Sequence, residues 1–307
     1  MKVHYSTDQL PAFKNAVITI GTFDGVHSGH QQIINTLKAA AAEAGGESVI
    51  ITFHPHPRKV VSSAVTGVRL INTLKERIEL LEKTGIDHLV VVPFTEYFAN
   101  QGAEEYISDF LIDKFHPHTI IIGYDHRFGR ERSGDYKLME AKAPVYNYRL
   151  MEIPEHLLDA VKVSSSNIRQ AILHSQVEEA NKLLGYPFFF EGEVVHGDKI
   201  GRTIGYPTAN LKSTDEEKIV LGNGIYAVYT EVDGTRYKGM MSIGFRPTVN
   251  GKKRVVEVNL FNFEKDIYGQ LIRVIVIKHL RSEVKFNGLE ELKQALHKDK
   301  ENSLAVL

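Results

Sequence analysis

His27 and His30 stand three residues apart in the run Gly21-Thr22-Phe23-Asp24-Gly25-Val26-His27-Ser28-Gly29-His30. If this run leads into a helix, both rings sit in its first turn and share a face. A helix start offers unpaired N–H groups and the positive end of the peptide dipole, which suits phosphate. Gly21, Gly25 and Gly29 let the backbone approach a ligand closely. Two imidazoles so placed can hold phosphate oxygens and stabilise charge developing at phosphorus. A plain strand–helix turn with surface histidines has the same spacing, so His-x-x-His alone leaves both readings open.

Three more segments carry groups of this kind. His54 and His56 flank Pro55 in Thr52-Phe53-His54-Pro55-His56-Pro57; on their own such histidines are loop residues more often than metal ligands. Residues 123–135 hold Gly123, Asp125, Arg127, Phe128, Gly129, Arg130, Arg132 and Gly134. They read as a mobile anion-binding loop or as a solvated charge run. Val163-Ser164-Ser165-Ser166-Asn167-Ile168-Arg169 supplies N-cap serines and a cation at a helix start. Further on, Gly197, Lys199, Gly201, Arg202 and Gly205 precede Tyr206-Pro207-Thr208-Ala209-Asn210. Such a glycine-rich stretch is either a flexible turn or a cradle of N–H groups for phosphates. No serine or cysteine nucleophile arrangement is evident, and the chain has no cysteine at all.

These segments need elements to hold them. Val17–Ile20, residues 49–53, residues 89–92 and Thr119–Gly123 are short apolar runs that read as strands, with a fifth, weaker one at 145–148. Helical patterns lie between them. One runs from Ile33 to a Gly45-Gly46 stop. One follows a capping box of Thr73 and Glu76 and stops at Gly85. One spans 103–114. Strands alternating with helices predict an α/β fold, a doubly wound Rossmann-like domain on a parallel sheet. Ligands in such sheets bind beyond the carboxyl ends of the strands, which is where residues 21–30, 54–57 and 123–135 fall. Helical patterns at 167–173 and Val177–Leu184 follow, ending at Gly185. The character then changes to strand-like runs at 188–195, Gly224–Val232, 236–243, 255–261 and 271–279, with an Asp233-Gly234 hairpin signal and one late helix at 289–297. That spacing predicts a small antiparallel β-barrel. The expected domains are 1–184 and 185–307.

Composition narrows the class. With 307 residues, 43% hydrophobic and 24% charged, each half can bury its own core. A formal net charge of -1 gives no electrostatic reason to expect nucleic acid. No apolar stretch of about 20 residues is present, so no membrane span is expected. Without a signal-like N-terminus, the expected location is cytoplasmic.

The run 21–30 closely resembles the His-x-Gly-His signature of the nucleotidyltransferase superfamily, in the Gly-x-Phe-Asp-Gly-Val-His form of bacterial FAD synthetases. The resemblance implies catalytic roles for His27 and His30. It implies ATP contacts from Gly21, Phe23, Asp24, Gly29, Ser164, Ser165 and Arg169, the last three in a Ser-Ser-x-x-Ile-Arg motif. It also implies flavin contacts from His54, Pro55, Asp125, Arg127 and Phe128. Gly205-Tyr206-Pro207-Thr208-Ala209-Asn210 closely resembles the riboflavin kinase signature. That implies a metal–nucleotide on Thr208 and Asn210, with Mg²⁺ suited to such oxygen ligands. Phosphate would lie along Gly197, Gly201, Arg202, Gly205 and Pro207. Segments 242–248, 256–263 and 280–286 match that family in order, implying Glu257 as general base and Arg281 and Glu283 on the flavin side. The chain departs from the common pattern at His126, Asn259 and Asn262, where the family often has Phe, His and Asp.

The two-domain order is similar to that of the bacterial bifunctional riboflavin kinase/FAD synthetase. It implies ATP-dependent phosphorylation of riboflavin to FMN, then adenylyl transfer from ATP to FMN giving FAD and pyrophosphate. Riboflavin, FMN, FAD and ATP are then the partners. Alternatives are a kinase-only enzyme and a flavin-binding sensor without turnover. Intact His27, His30, Ser165 and Arg169 argue against the first, and intact Thr208, Asn210 and Glu257 against the second.

Overall fold

The computed structural model describes residues 1–307 except 62–68, 124–125, 154–162, 198–199 and 249–250. Asp125 and Lys199 therefore lie outside the described residues. Contacts divide the chain into two units, Met1–Ser164 and Ser165–Leu307.

The first unit is a six-stranded, all-parallel sheet in the order β1-β4-β3-β2-β5-β6. Its strands are β1 (Lys2–His4), β2 (Val17–Ile20), β3 (Ser48–His54), β4 (His88–Pro93), β5 (Thr119–Gly123) and β6 (Arg149–Ile153). Alternate residues feed two cores, one on each face. Ile18, Ile51, Val90 and Ile120 pack with Tyr106, Phe110 and Phe115. Val17, Ile50, Leu89 and Ile121 pack with Ile34, Leu37 and Leu81. A sheet covered on both faces reads as continuous apolar runs, which is why these strands were visible.

The helices are α1 (Ser28–Glu43), α2 (Pro57–Val61), α3 (Leu74–Glu82), α4 (Glu96–Ala99), α5 (Ala103–Glu105), α6 (Asp113–Phe115) and α7 (Tyr136–Tyr146). The expected helix at 103–114 is α5 and α6 joined by a π-helical stretch, Tyr106–Ile112. The expected strand at 145–148 is displaced. Val145 and Tyr146 end α7, Asn147 caps it in the left-handed region, and the strand follows as β6. The capping box is present as read: Thr73 Oγ1 accepts from the Glu76 amide at 3.2 Å, and Glu76 accepts from the Thr73 amide at 2.9 Å. From β2 the chain builds outward through β3 and β4, then returns to the other side as β5. The switch point falls between β2 and β5, and their following loops open on it.

The second unit opens with α8 (Ser165–Leu173) and α9 (Val177–Leu184). Asn181 of α9 donates to the Val276 carbonyl at 3.0 Å and accepts from the Phe188 amide at 2.7 Å, tying the helix to the strands that follow. Six antiparallel strands close a barrel in the order β10-β11-β8-β7-β12-β9. They are β7 (Phe189–Val195), β8 (Ala209–Ser213), β9 (Gly224–Val232), β10 (Thr235–Thr248), β11 (Gly251–Leu260) and β12 (Leu271–Arg281). The β9–β10 hairpin turns on Asp233 and Gly234, both at positive φ as a two-residue turn requires. A short α10 (Ile200–Thr203) and a long α11 (Leu289–Val306) complete the unit.

Candidate active sites

In the first unit, His27 is the N-cap of α1, and its Nδ1 accepts from the His30 amide at 3.3 Å. That bond assigns the neutral ring its proton on Nε2, leaving Nε2–H as the donor. The His30 ring stacks on His27 with centroids 3.7 Å apart. No acidic residue occupies the first turn of α1, so the positive end of its dipole is not offset from within the helix. Gly29 lies beneath the His27 ring; an added Cβ would sit 3.3 Å from it and 3.9 Å from the Val163 carbonyl. The chain just before Ser164 thus passes the start of α1.

The loop's shape is held from below. Phe23 and Val26 have φ of 48° and 37°, a region that bulky and β-branched residues rarely enter. Both side chains are buried in the core, which compensates the strain. The Asp24 carboxylate is 2% exposed and accepts from the Ile71 and Asn72 amides at 3.0 and 3.1 Å. The Thr22 carbonyl accepts from Thr52 Oγ1 at 3.1 Å and from Arg77 Nη1. Arg77, on α3, is 4% exposed and also donates to Thr52 Oγ1 at 3.1 Å.

Burial, then His27, then Arg77 hold the His30 pKa well below its ordinary value. Burial first, then His88 and Lys2, lower that of His4. The unfolded chain takes up protons at these positions near pH 6.5, while the folded chain does so only at lower pH. Stability from these groups is therefore present above pH 6.5 and lost as pH falls below it. A lower denaturant midpoint for this unit at pH 5.5 than at pH 7.5 is the expected result. Equal midpoints would show that neither ring is held neutral by folding.

His54 ends β3 and is exposed, as is Pro55 after it, while His56 is buried and its Nδ1 accepts from the Arg58 amide at 3.2 Å. Phe128 is buried, stacks on Tyr106 at 4.9 Å, and covers Gly134. His126 stacks on Phe128 in turn, at 5.7 Å, so an aromatic ring is kept where the pattern often has Phe. Arg127 is exposed and pairs with Asp135 at 3.0 Å. Ser165 starts α8 and Arg169 lies in its second turn.

In the barrel, Glu257 on β11 lies directly opposite Asn210 on β8 and Ser242 on β10. Opposed residues in a sheet have Cβ atoms about 5 Å apart, so Glu257 and Asn210 are neighbours on one face. Glu257 lines a cavity of about 280 Å³ with Thr208, Tyr206, Arg281, Glu283 and Phe286. Thr208 also lines a second cavity of about 370 Å³, with Arg202, Pro207, Phe263 and Tyr268. One threonine therefore stands where the two cavities meet. The Glu257 carboxylate accepts from Arg246. Gly197 passes under the Asn210 amide, where an added Cβ would lie 2.2 Å from Nδ2. Gly201 is as close to the Tyr206 carbonyl, also at 2.2 Å, a backbone contact that only glycine fits, while a side chain at 197 would displace the Asn210 amide. Gly205 turns the chain at φ +85°. Arg281 makes a two-pronged pair with Asp299 of α11, at 2.8 and 2.6 Å, and so fixes the helix beside the cavity as well as lining it. Glu283 packs over Gly244.

Residues 10–167 match the FAD synthetase family and residues 184–307 the riboflavin kinase family. A protein of Bacillus subtilis named bifunctional riboflavin kinase/FMN adenylyltransferase is 39% identical over 94% of this chain and 92% of its own length. One of the same name from Escherichia coli K12 is 35% identical over 93% and 91%. The chain belongs to the bifunctional riboflavin kinase/FMN adenylyltransferase family. As a member of that family it is an enzyme, a nucleotidyltransferase in its parallel-sheet unit and a kinase in its barrel. A solved structure from Streptococcus pneumoniae, described as a macrolide-efflux protein, shares the fold with a TM-score of 0.88 at 31% identity over 98% of both chains. Efflux is said of that protein only; among the described residues here, no helix is long and apolar enough to cross a membrane.

Both ATP-using halves of this riboflavin kinase/FMN adenylyltransferase call for a divalent metal. The barrel donor set fits one: a hydroxyl on Thr208 and an amide oxygen on Asn210, beside the Glu257 carboxylate. Among the described residues no group of three or more His, Asp or Glu could hold a metal by itself. A few protein oxygens suit a hard divalent cation that completes its shell with phosphate and water. Arg77 escaped the sequence reading, and Asn259 entered it only as a departure from the family pattern. Arg77 looks like a surface cation, yet it follows Leu74 by three and precedes Leu81 by four, which places it on the inward face. Asn259 stands two residues after Glu257 and so shares its face.

Proposed function

We propose that the barrel converts riboflavin and ATP to FMN and ADP, and that the parallel-sheet unit converts FMN and a second ATP to FAD and pyrophosphate. The observation that carries the kinase reading is the meeting of the two cavities at Thr208, with Glu257 facing one of them and Asn210 across the sheet from it. Riboflavin occupies the 280 Å³ cavity, against Phe286, Leu292 and Leu296. The nucleotide occupies the 370 Å³ cavity, its base among Val194, Phe263 and Tyr268 and its phosphates towards Arg202, Gly197, Gly201 and Gly205. Glu257 takes the proton of the ribityl 5′-hydroxyl as that oxygen attacks the γ-phosphorus, and ADP leaves. Mg²⁺, held by Thr208 and Asn210, offsets phosphate charge when bound.

In the first unit, the N–H groups at the start of α1, with His27 and His30, hold the triphosphate of ATP. Gly21 and Gly29 keep the backbone close, and Phe23 and Asp24 keep the loop in shape. An FMN phosphate oxygen attacks the α-phosphorus in line, and pyrophosphate leaves. The protein positions the groups and stabilises charge, without a covalent intermediate. Ser164, Ser165 and Arg169 belong to this activity, so its functional domain is 1–184 and the kinase domain 185–307. His54, Pro55, Asp125, Arg127 and Phe128 border the flavin here, as Arg281 and Glu283 do in the barrel. The enzyme works in the cytoplasm.

Chromatography of products after incubation with riboflavin, ATP and Mg²⁺ tests this. FMN first and FAD after it, with ADP and pyrophosphate released, is expected. FMN alone would leave the parallel-sheet unit without its assigned activity, and neither product would favour a flavin-binding protein without turnover.

A further inference from the structure

Asn259 is buried at 6% exposure on β11 and donates through Nδ2 to the Pro207 carbonyl at 2.6 Å. A carbonyl can only accept, so the amide nitrogen, not the oxygen, must face it. Pro207 has no N–H of its own, and its carbonyl belongs to the peptide that leads into Thr208. Pro207 and Thr208 precede β8, outside the strand ladder. A buried side-chain bond therefore fixes the peptide that Thr208 hangs from. The same β11 face carries Glu257 two residues earlier, and both residues line the 280 Å³ cavity. One strand thus bears the group facing the acceptor hydroxyl and the group that sets Thr208, with the spacing fixed by the pleat.

We propose that Asn259 is a positioning residue of the kinase site, one that holds the Pro207–Thr208 peptide so that Thr208 meets the metal–nucleotide. The inference rests on the reading of Thr208 as a metal ligand. Partners that orient a metal ligand from behind are worth roughly 10–100-fold in metal affinity or activity. Histidine at 259 can present Nδ1–H close to where the asparagine amide lies. Aspartate keeps the volume and turns the contact into oxygen against oxygen.

The test is calorimetric titration of the full chain with ADP in the presence of Mg²⁺, comparing the parent with Thr208→Ala, Asn259→Ala and Asn259→His. The binding component that Thr208→Ala removes is the barrel's. Asn259→Ala is expected to weaken that component by about tenfold and to raise the ATP KM of riboflavin phosphorylation in step; Asn259→His is expected to restore it to within about twofold. If Asn259→Ala unfolds the barrel, Asn259→Asp takes its place with the same expected weakening. If Thr208→Ala removes a component that Asn259→Ala and Asn259→Asp leave unchanged, the inference is overturned while the reading of Thr208 stands. If Thr208→Ala removes none, that reading falls and takes the inference with it.

Discussion

Glu257→Gln reduces FMN formation by roughly 10²–10⁴-fold and leaves conversion of supplied FMN to FAD unchanged. The substitution is close in shape. Glutamine keeps an oxygen that can accept from Arg246, and it stays on β11 opposite Asn210 of β8. It cannot take a proton from the attacking hydroxyl, so the loss should fall on kcat, with the KM values for riboflavin and ATP moving little. Single-turnover phosphorylation and FAD synthesis from FMN, measured on one preparation, check this. A kinase rate within tenfold of the parent would remove Glu257 from the role of base. Loss of both activities in a chain that melts like the parent would defeat the assignment of one reaction to each unit.

The second large effect lies in the other unit. His30→Ala should lower FAD formation from FMN by roughly 10²–10³-fold, the usual cost of one group that stabilises transition-state charge. Phosphorylation of riboflavin should persist. The ring also packs on His27 and Phe23, so part of any loss could be structural. His30→Asn separates the two contributions, since it restores a donor without the ring. If pyrophosphate release is as slow in the asparagine variant as in the alanine variant while their melting points differ, packing and not charge stabilisation is what His30 supplies. If either variant retains the parent rate, the α1 N-terminus does its work without it.

The four central strands of the parallel sheet, β2 to β5, were legible because they are buried on both faces and leave apolar runs in the sequence. The chemistry-bearing loops were legible because the chain order places them after strands. The barrel was less so. β8 is five residues, Ala-Asn-Leu-Lys-Ser, too short and polar to stand out from the glycine-rich segment before it. β1 is three residues and pairs with β4, far along the chain. Tyr146 and Val145 favour strands by type, but Asn147 in the left-handed region makes them a helix end. At the sites, the motifs and the family resemblance gave candidate groups, while the supports of those groups depended on tertiary contact. Asp24 reads as a phosphate-site residue and is spent on the amides of residues 71 and 72. Arg281 reads as a flavin contact and is also bound to Asp299, eighteen residues on. No local pattern announces such pairs, because each partner lies on an element whose position only the whole fold decides.

The loop between β2 and α1 also bears on how such a site can be inherited or transplanted. Its ten residues do not carry their own shape. Two of them stand at disfavoured backbone angles only because the core has sockets for Phe23 and Val26, a third leans on amides from residues 71 and 72, and a fourth hangs from Arg77. Copied onto another strand–helix junction, the motif would arrive without its foundations and relax. The unit of transfer is the loop together with the start of α3. Drift in that helix, remote in sequence from His27 and His30, is a hidden route by which a lineage could lose adenylylation while its signature remained intact.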